Sequence, residues 1–145
     1  MKIEKAAVTD VDTLTVLALQ LWPNHALPAL REEMEEICGK KDATFFLAMD
    51  AGEAIGFAQC QLRRDYVEGT ESSPVGYLEG IFVAESHRGR GVARQLLAAC
   101  EEWAREQGCR EFASDCELEN VQSLRFHLRM GFAEANRIIC FAKRL

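Results

Sequence analysis

The run Arg88-Gly89-Arg90-Gly91-Val92-Ala93-Arg94 has the residue types and the spacing of an anion cradle. It stands between an apolar stretch that reads as a strand and an amphipathic stretch that reads as a long helix. Backbone N–H groups at a helix N-terminus are unpaired and point outward, and the helix dipole adds partial positive charge there. Glycine lets the backbone come close to a phosphate, because no Cβ intervenes and positive φ is allowed. Arg88, Arg90 and Arg94 surround the same point with charged donors. The chemistry this suits is the holding of a pyrophosphate. Two other phosphate loops are excluded: there is no G-x-x-x-x-G-K-[ST], and Gly89-Arg90-Gly91 lacks the third glycine of a dinucleotide fingerprint.

A second group of residues stands out by position. Glu79 interrupts the otherwise apolar stretch Gly76 to Ala84, and a carboxylate there needs a partner or a solvated cleft. Asp115 closes a later apolar stretch, where a polar strand end is an ordinary feature. The six cysteines, Cys38, Cys60, Cys100, Cys109, Cys116 and Cys140, contain no C-x-x-C pair. Their spacing fits neither a zinc knuckle nor a disulfide scaffold, so they read as small buried hydrophobes and no metal is expected.

The elements that must position these residues follow from periodicity. Lys2 to Ala6 reads as a first strand. Thr9 with Asp12 resembles a capping box before a helix carrying Leu14, Leu17, Ala18 and Leu21, which Pro23 ends. A second helix starts near Pro28, presents Leu30, Met34 and Ile37, and stops at a left-handed Gly39. Thr44 to Met49 and Ala54 to Leu62 form a hairpin around Asp50-Ala51-Gly52-Glu53. Arg64 to Val75 is the longest loop, and loops of that length are often functional. Gly76 to Ala84 is a strand, and Val92 to Gln107 a helix with Leu96, Leu97, Cys100 and Trp103 buried. Glu111 to Asp115 is a strand, Glu119 to Met130 a helix stopped by Gly131, and Ala135 to Lys143 a last strand. The order predicts an α/β (α+β) fold with a mixed, largely antiparallel central sheet flanked by helices.

The bulk properties set the frame. A length of 145 residues suits one domain, expected to span 1–145, and 48% apolar with 28% charged residues is the balance of a globular protein. No stretch approaches the roughly 20 apolar residues that cross a bilayer, and Met1-Lys2-Ile3-Glu4-Lys5 leads into no signal core, so no membrane partner and a cytoplasmic location are expected. The net charge of −6, from 23 acidic and 17 basic residues, argues against nucleic-acid binding. It is compatible with cationic substrates and equally with simple solubility.

The arrangement of strand, Arg88-x-x-Gly91-x-Ala93 and helix resembles the GCN5-related N-acetyltransferase (GNAT) superfamily along nearly the whole chain. The resemblance implies acetyl-CoA as co-substrate, its pantetheine arm along Ile81, Phe82 and Val83. Its phosphates would lie among Arg88, Gly89, Arg90, Gly91, Val92, Ala93 and Arg94. An Asn at the start of the next helix and a Gly-Phe at its end are met by Asn120 and Gly131-Phe132. Asn120 would contact the cofactor through its amide, although it reads equally well as a helix N-cap. Where many relatives carry a Tyr as general acid, four residues before that Gly, this chain has His127. A histidine with an ordinary pKa of roughly 6.5 could donate a proton, and it could equally be a packed helix residue.

A narrower resemblance is to the aminoglycoside 6′-N-acetyltransferases of type I. It is carried by Gln20-Leu21-Trp22-Pro23-Asn24-His25, Asp65-Tyr66-Val67-Glu68-Gly69, Ser72-Ser73-Pro74-Val75, Leu78-Glu79-Gly80-Ile81-Phe82-Val83, Gly108-Cys109-Arg110-Glu111 and Ala113-Ser114-Asp115. It implies substrate contacts from Trp22, His25, Tyr66, Glu79 and Asp115. Carboxylates satisfy ammonium groups, and flat rings suit sugar faces and cations. Each has a plainer reading: packing for Trp22, a turn for His25, a loop anchor for Tyr66. Relatives carry another acidic residue in the last strand, where this chain has Asn136, a weaker partner for an ammonium group. The resemblance also implies a homodimer, for which an apolar edge from Ile138 to Phe141 offers a pairing surface.

The reaction implied is direct transfer to a neutral amine. Glu79 is the candidate to position and help deprotonate it, Asp115 and His127 complete the catalytic set, and backbone N–H groups near Val83 face the developing oxyanion. No cysteine stands out as a nucleophile. Two other readings share the same residues: acetylation of a different small amine, polyamine or protein amine, and a non-catalytic acyl-CoA sensor, which needs the turn but neither Glu79 nor Asp115.

Overall fold

Apolar residues in strand-forming runs from Ala43 to Arg63 double back at Ala51-Gly52, where both residues take positive φ, 49° and 81°. That turn sets strand β2 (Ala43–Asp50) against β3 (Glu53–Arg63). The computed structural model describes residues 1–145. Strand β1 (Lys2–Lys5), β4 (Val75–Val83) and β5 (Phe112–Ser114) complete one sheet in the order β1-β2-β3-β4-β5. Pairing is antiparallel from β1 to β4 and parallel between β4 and β5, which gives the mixed, largely antiparallel α/β sheet expected.

Helices cover both faces. On one, α1 (Val11–Leu21) and α2 (Leu27–Cys38) bury Leu14, Leu17, Ala18, Leu30, Met34 and Ile37 against Phe45, Leu47 and Phe57. On the other, α3 (Val92–Glu106) buries Leu96, Leu97, Cys100 and Trp103 against Ala58, Cys60, Leu78 and Val83. Each fully buried Leu or Phe contributes roughly 1.5–3 kcal/mol of transfer free energy, so these two apolar stripes hold the sheet between its helical layers. Helix α4 (Val121–Arg129) packs Phe126 onto the α3 side of the core.

Two features of β4 shape the site. Its register to β3 slips between Gln59 and Cys60: Gln59 pairs with Gly80 and Cys60 with Leu78, which leaves Glu79 as an inserted residue. Such a bulge re-aims a side chain and bends its strand. The pairing of β4 with β5 ends at Leu78 and Ser114, while β4 runs on to Val83. From Glu79 onward β4 therefore has an open edge. Ala84 N–H bonds to Ile55 O on β3 at 2.7 Å, and N–H directions alternate along a strand, so the N–H groups of Val83 and Ile81 point to the open side.

Four expectations are corrected. Residues Ala135 to Lys143 form no strand: a strand requires a partner edge, and none of the five strands pairs with this segment, so Ile138, Ile139 and Phe141 stand 67%, 80% and 91% exposed. The Thr9–Asp12 capping box is replaced by Asp10, which accepts from Ala7 N–H at 2.8 Å across a 3-10 turn, while Asp12 pairs with Arg31. Gly39 closes α2 with φ −84°, in the right-handed region, because bonds to Glu36 and Ile37 continue the helix past it. Cys60, Cys100 and Cys109 are buried, but Cys116 and Cys140 are exposed, on the connection after β5 and in the unpaired C-terminal segment.

Candidate functional site

The turn before α3 has the shape its residues anticipate. Gly91 is the N-cap with φ 79°, Gly89 has φ 76°, and a Cβ on either would meet nothing within 4 Å, so the turn opens on space. The first helical bond runs from Gln95 N to Gly91 O, which leaves the amides of Val92, Ala93 and Arg94 as the unpaired donors of the helix N-terminus. Arg88 departs from a purely anion-facing role. Its Nε donates to Val83 O at 2.8 Å and its guanidinium lies 5.7 Å from the Phe82 ring, which ties the turn to the end of β4. Open glycines, free amides and arginines fit a pyrophosphate, and the open edge of β4 from Ile81 to Val83 offers N–H and C=O groups to an amide-bearing chain such as pantetheine.

On the α1–α2 side of β4, Trp22, His25, Glu33, Gln59 and Glu79 line a cleft of about 180 Å³. Trp22 lies against β4 at Gly80, where a Cβ would come within 2.7 Å of its ring, so glycine is required for this approach. Its ring is also 6.1 Å from Phe57 and 6.2 Å from His25. Glu33 from α2 and the buried Gln59 from β3 were not anticipated. Glu33 is one of four glutamates in α2, and nothing local separates it from a solvated face. A larger cavity of about 340 Å³, near Lys5, Lys40, Lys41 and Trp103, holds none of the anticipated residues.

Glu79 does not stand alone. Arg63 on β3 donates from Nε and Nη2 to Oε1 at 3.0 and 2.7 Å, and from Nη2 to Oε2 at 3.0 Å. The Arg63 guanidinium lies 3.5 Å from the centroid of the Tyr77 ring, and the Tyr77 hydroxyl donates to Asp115 Oδ2. Burial first, then that hydrogen bond, pushes the Tyr77 hydroxyl well above the usual phenol range, so Tyr77 remains a neutral donor. Glu79 and Asp115, far apart in sequence, are thereby joined in one network.

His127 on α4 reaches the point where β4 and β5 separate. Its Nε2 is 2.7 Å from Ser114 Oγ, and that hydroxyl is 3.3 Å from Leu78 O. Nδ1 is 2.7 Å from Ser123 O. A carbonyl only accepts, so Nδ1 carries a proton toward Ser123 O, and Nε2 is the ring atom that exchanges a proton with the Ser114 hydroxyl.

The remaining anticipated residues lie further out. Asn120 is the N-cap of α4, with Oδ1 accepting from Ser123 N–H at 3.0 Å, which leaves its amide nitrogen for other partners. Tyr66 projects from the 64–74 loop, 76% exposed. Asn136 is exposed on the C-terminal segment and accepts from Arg137 N–H at 2.8 Å. Cys100 beside Cys60, buried Cys109 and half-buried Cys38 all have thiols raised above their ordinary pKa, Cys100 chiefly through its neighbour and the others through burial. They have the character of inert thiols. No group of His, Cys, Asp and Glu is placed to hold a metal ion.

Comparison with known proteins accords with this geometry. The sequence model of the Acetyltransferase (GNAT) family matches residues 11–132. An aminoglycoside N(6′)-acetyltransferase type 1 of Salmonella typhimurium is 46% identical, over 99% of each chain. One from Stenotrophomonas maltophilia is 44% identical over 96% of this chain and 90% of its own. Among solved structures, AAC(6′)-Iy in complex with the bisubstrate analogue CoA-S-monomethyl-acetylneamine superposes with a TM-score of 0.95 at 45% identity, covering 99% of this chain and 98% of that one. The apo AAC(6′)-IG from Acinetobacter haemolyticus gives 0.95 at 37% identity, covering 100% and 99%.

Proposed function

The chain belongs to the GNAT acetyltransferase family, and we propose that it transfers the acetyl group of acetyl-CoA directly to the 6′-amine of aminoglycoside antibiotics, and so confers resistance to them. The observation that carries this reading is the insertion of Glu79 at the β4 bulge. It puts a carboxylate at the junction between the cleft of Trp22, His25 and Glu33 and the open edge of β4.

Acetyl-CoA supplies a thioester carbonyl when bound. We assign its phosphates to the amides of the Gly89–Arg94 turn with Arg90 and Arg94, its pantetheine arm to the edge of Ile81, Phe82 and Val83, and a further contact to the Asn120 amide nitrogen. The aminoglycoside is a polycation. Glu79, Glu33 and Asp115 meet its ammonium groups, and Trp22 and Tyr66 meet its ring faces. His25 lies at the mouth of the cleft, and Asn136 joins the set only if the C-terminal segment folds back toward it.

A primary ammonium resembles that of Lys, with a pKa of roughly 10.4, and must lose a proton before it attacks. Glu79 takes that proton, directly or through a water. The C–N bond forms, the Val83 N–H on the open edge of β4 faces the developing oxyanion, the attacking nitrogen gives its second proton to water, and the C–S bond breaks. The departing thiolate takes a proton from the Ser114 hydroxyl, which His127 in its protonated form replenishes.

Residues 1–145 act in this reading as one acetyltransferase domain, and no helix is long and apolar enough to cross a membrane. We place the enzyme in the cytoplasm, where acetyl-CoA is made, and assign it a homodimer in which the exposed Ile138, Ile139 and Phe141 are covered by the second copy. Light scattering coupled to size exclusion should give twice the mass of one chain.

Release of CoA thiol from acetyl-CoA should be followed with two aminoglycosides matched except at the 6′ position. Rapid release with the 6′-amine and silence with the 6′-hydroxyl is the expected result. Silence with both, from protein that binds acetyl-CoA, would overturn the assignment.

A further inference from the structure

Arg63 is a cation set inside a site for a polycation, where elementary electrostatics would place only carboxylates. Its exposure does not explain it as a solvated surface charge: the Arg63 side chain is 38% exposed and that of Glu79 19%. Nor is it a loose pair. Three N···O contacts of 2.7–3.0 Å fix the edge of the guanidinium on Glu79, while its face lies 3.5 Å from the Tyr77 ring centroid. Tyr77 and Glu79 sit two residues apart on β4, and Arg63 on β3 pairs with Val75 in the adjacent register, so one planar group reaches both.

We infer that Arg63 is a positioning residue for the transfer reaction: a built-in counter-cation that holds the Glu79 carboxylate aimed and paired until a substrate ammonium group displaces part of that pairing. This rests on the assignment of Glu79 to the attacking amine. Two consequences follow from a positive charge held in this geometry. The ammonium competes with a guanidinium for one carboxylate, so the substrate binds less tightly than it would to Glu79 alone. The guanidinium, stacked on Tyr77, stays beside the bound ammonium and favours loss of its proton, since a neighbouring like charge disfavours the charged form. The neutral amine is the nucleophile, so Arg63 trades ground-state affinity for turnover. Arginine is needed because its flat face stacks while its edge binds bidentately, which a lysine ammonium does not do. The amine at Glu79 also faces Gln59 from β3, His25 from the α1–α2 connection and Glu33 from α2, with Tyr77 and Asp115 beyond Arg63.

The test is the steady-state kinetics of R63M and R63K with a 6′-amino aminoglycoside, alongside acetyl-CoA affinity. Acetyl-CoA affinity should match the wild type in both, since Arg63 takes no part in the Gly89–Gly91 turn, and this checks the fold. R63M should show a several-fold lower KM for the aminoglycoside and a kcat lower by about tenfold or more. Its rise of kcat with pH should move to higher pH. R63K should keep a KM near that of the wild type without recovering kcat. Unchanged kinetics in both variants, or a raised KM with an unmoved pH profile, would reduce Arg63 to a fastening between strands and overturn the inference. A wild-type enzyme silent on the aminoglycoside would overturn the function itself, a different result from an active wild type with indifferent Arg63 variants.

Discussion

His127 Nε2 stands 2.7 Å from the hydroxyl of Ser114, at the point where β4 and β5 part. The His127 ring is fixed from its other side by Ser123 O and flanked by Phe126 and Phe132, with ring centroids 5.5 and 5.1 Å away. A protonated His127 donates to Ser114, whose own proton is then free to pass to a thiolate in the gap between the strands. Positioned proton transfer contributes about 10²–10⁴-fold. H127A and S114A should therefore each lower kcat by about 10²-fold or more. Because both act on one proton, the double variant should be no slower than the slower single one. Multiplying losses in kcat would separate the two residues.

Replacing Glu79 by Gln keeps its size and removes its charge. The amine loses its proton acceptor, and Arg63 loses its partner within the site. In E79Q, kcat/KM for the aminoglycoside should fall by about 10²–10⁴-fold, while affinity for acetyl-CoA stays that of the wild type. Isothermal titration with acetyl-CoA beside the thiol-release assay separates the two. A near-normal kcat/KM would move the base elsewhere, with Asp115 the next to try.

The turn at Gly91 should be sensitive for a backbone reason. Its φ of 79° is left-handed, and a Cβ there would meet no atom within 4 Å, so G91A brings strain without a clash. A left-handed non-glycine residue costs about 1–2 kcal/mol. Thermal unfolding should fall by a few degrees, and KM for acetyl-CoA should rise as the turn relaxes. KM for the aminoglycoside should not move. A rise in both would show that the turn shapes the cleft as well.

The parts legible from sequence were those set by neighbours along the chain. Spacing of Leu96, Leu97, Cys100 and Trp103 gave α3 and its buried face, and Gly91 before it gave the turn. Glu79 was conspicuous because an apolar strand surrounds it, but its insertion at a bulge depends on the register of β3, which its own segment does not carry. Arg63 escaped notice for the same reason: at the end of β3 beside Arg64 it reads as a solvated charge until β4 lies next to it. Glu33 and Gln59 join the cleft through tertiary packing alone. The segment Ala135 to Lys143 has strand-like composition, yet composition supplies no partner edge.

The loop that carries Tyr66 is held by Glu111, whose carboxylate accepts from the Ser72 hydroxyl and from Glu71 N–H, the latter at 2.8 Å. The Ser72 hydrogen bond first, and the Glu71 amide next, hold this carboxyl below its ordinary range. The folded pKa is thus lower than the unfolded one, so this contribution to stability is fully present above the ordinary glutamate value of about 4.3. It is lost as pH falls through the folded pKa. E111Q should unfold at a lower temperature than the wild type at pH 7. That difference should shrink below about pH 4.3, as protonation leaves the wild-type carboxyl uncharged like the amide. KM for the aminoglycoside should rise in E111Q at pH 7, because the freed loop no longer presents Tyr66 in one place. Melting curves of the two proteins from pH 7 down to pH 3 test the anchor. A pH-independent difference would assign Glu111 a packing role instead, and an unchanged KM would detach Tyr66 from the substrate.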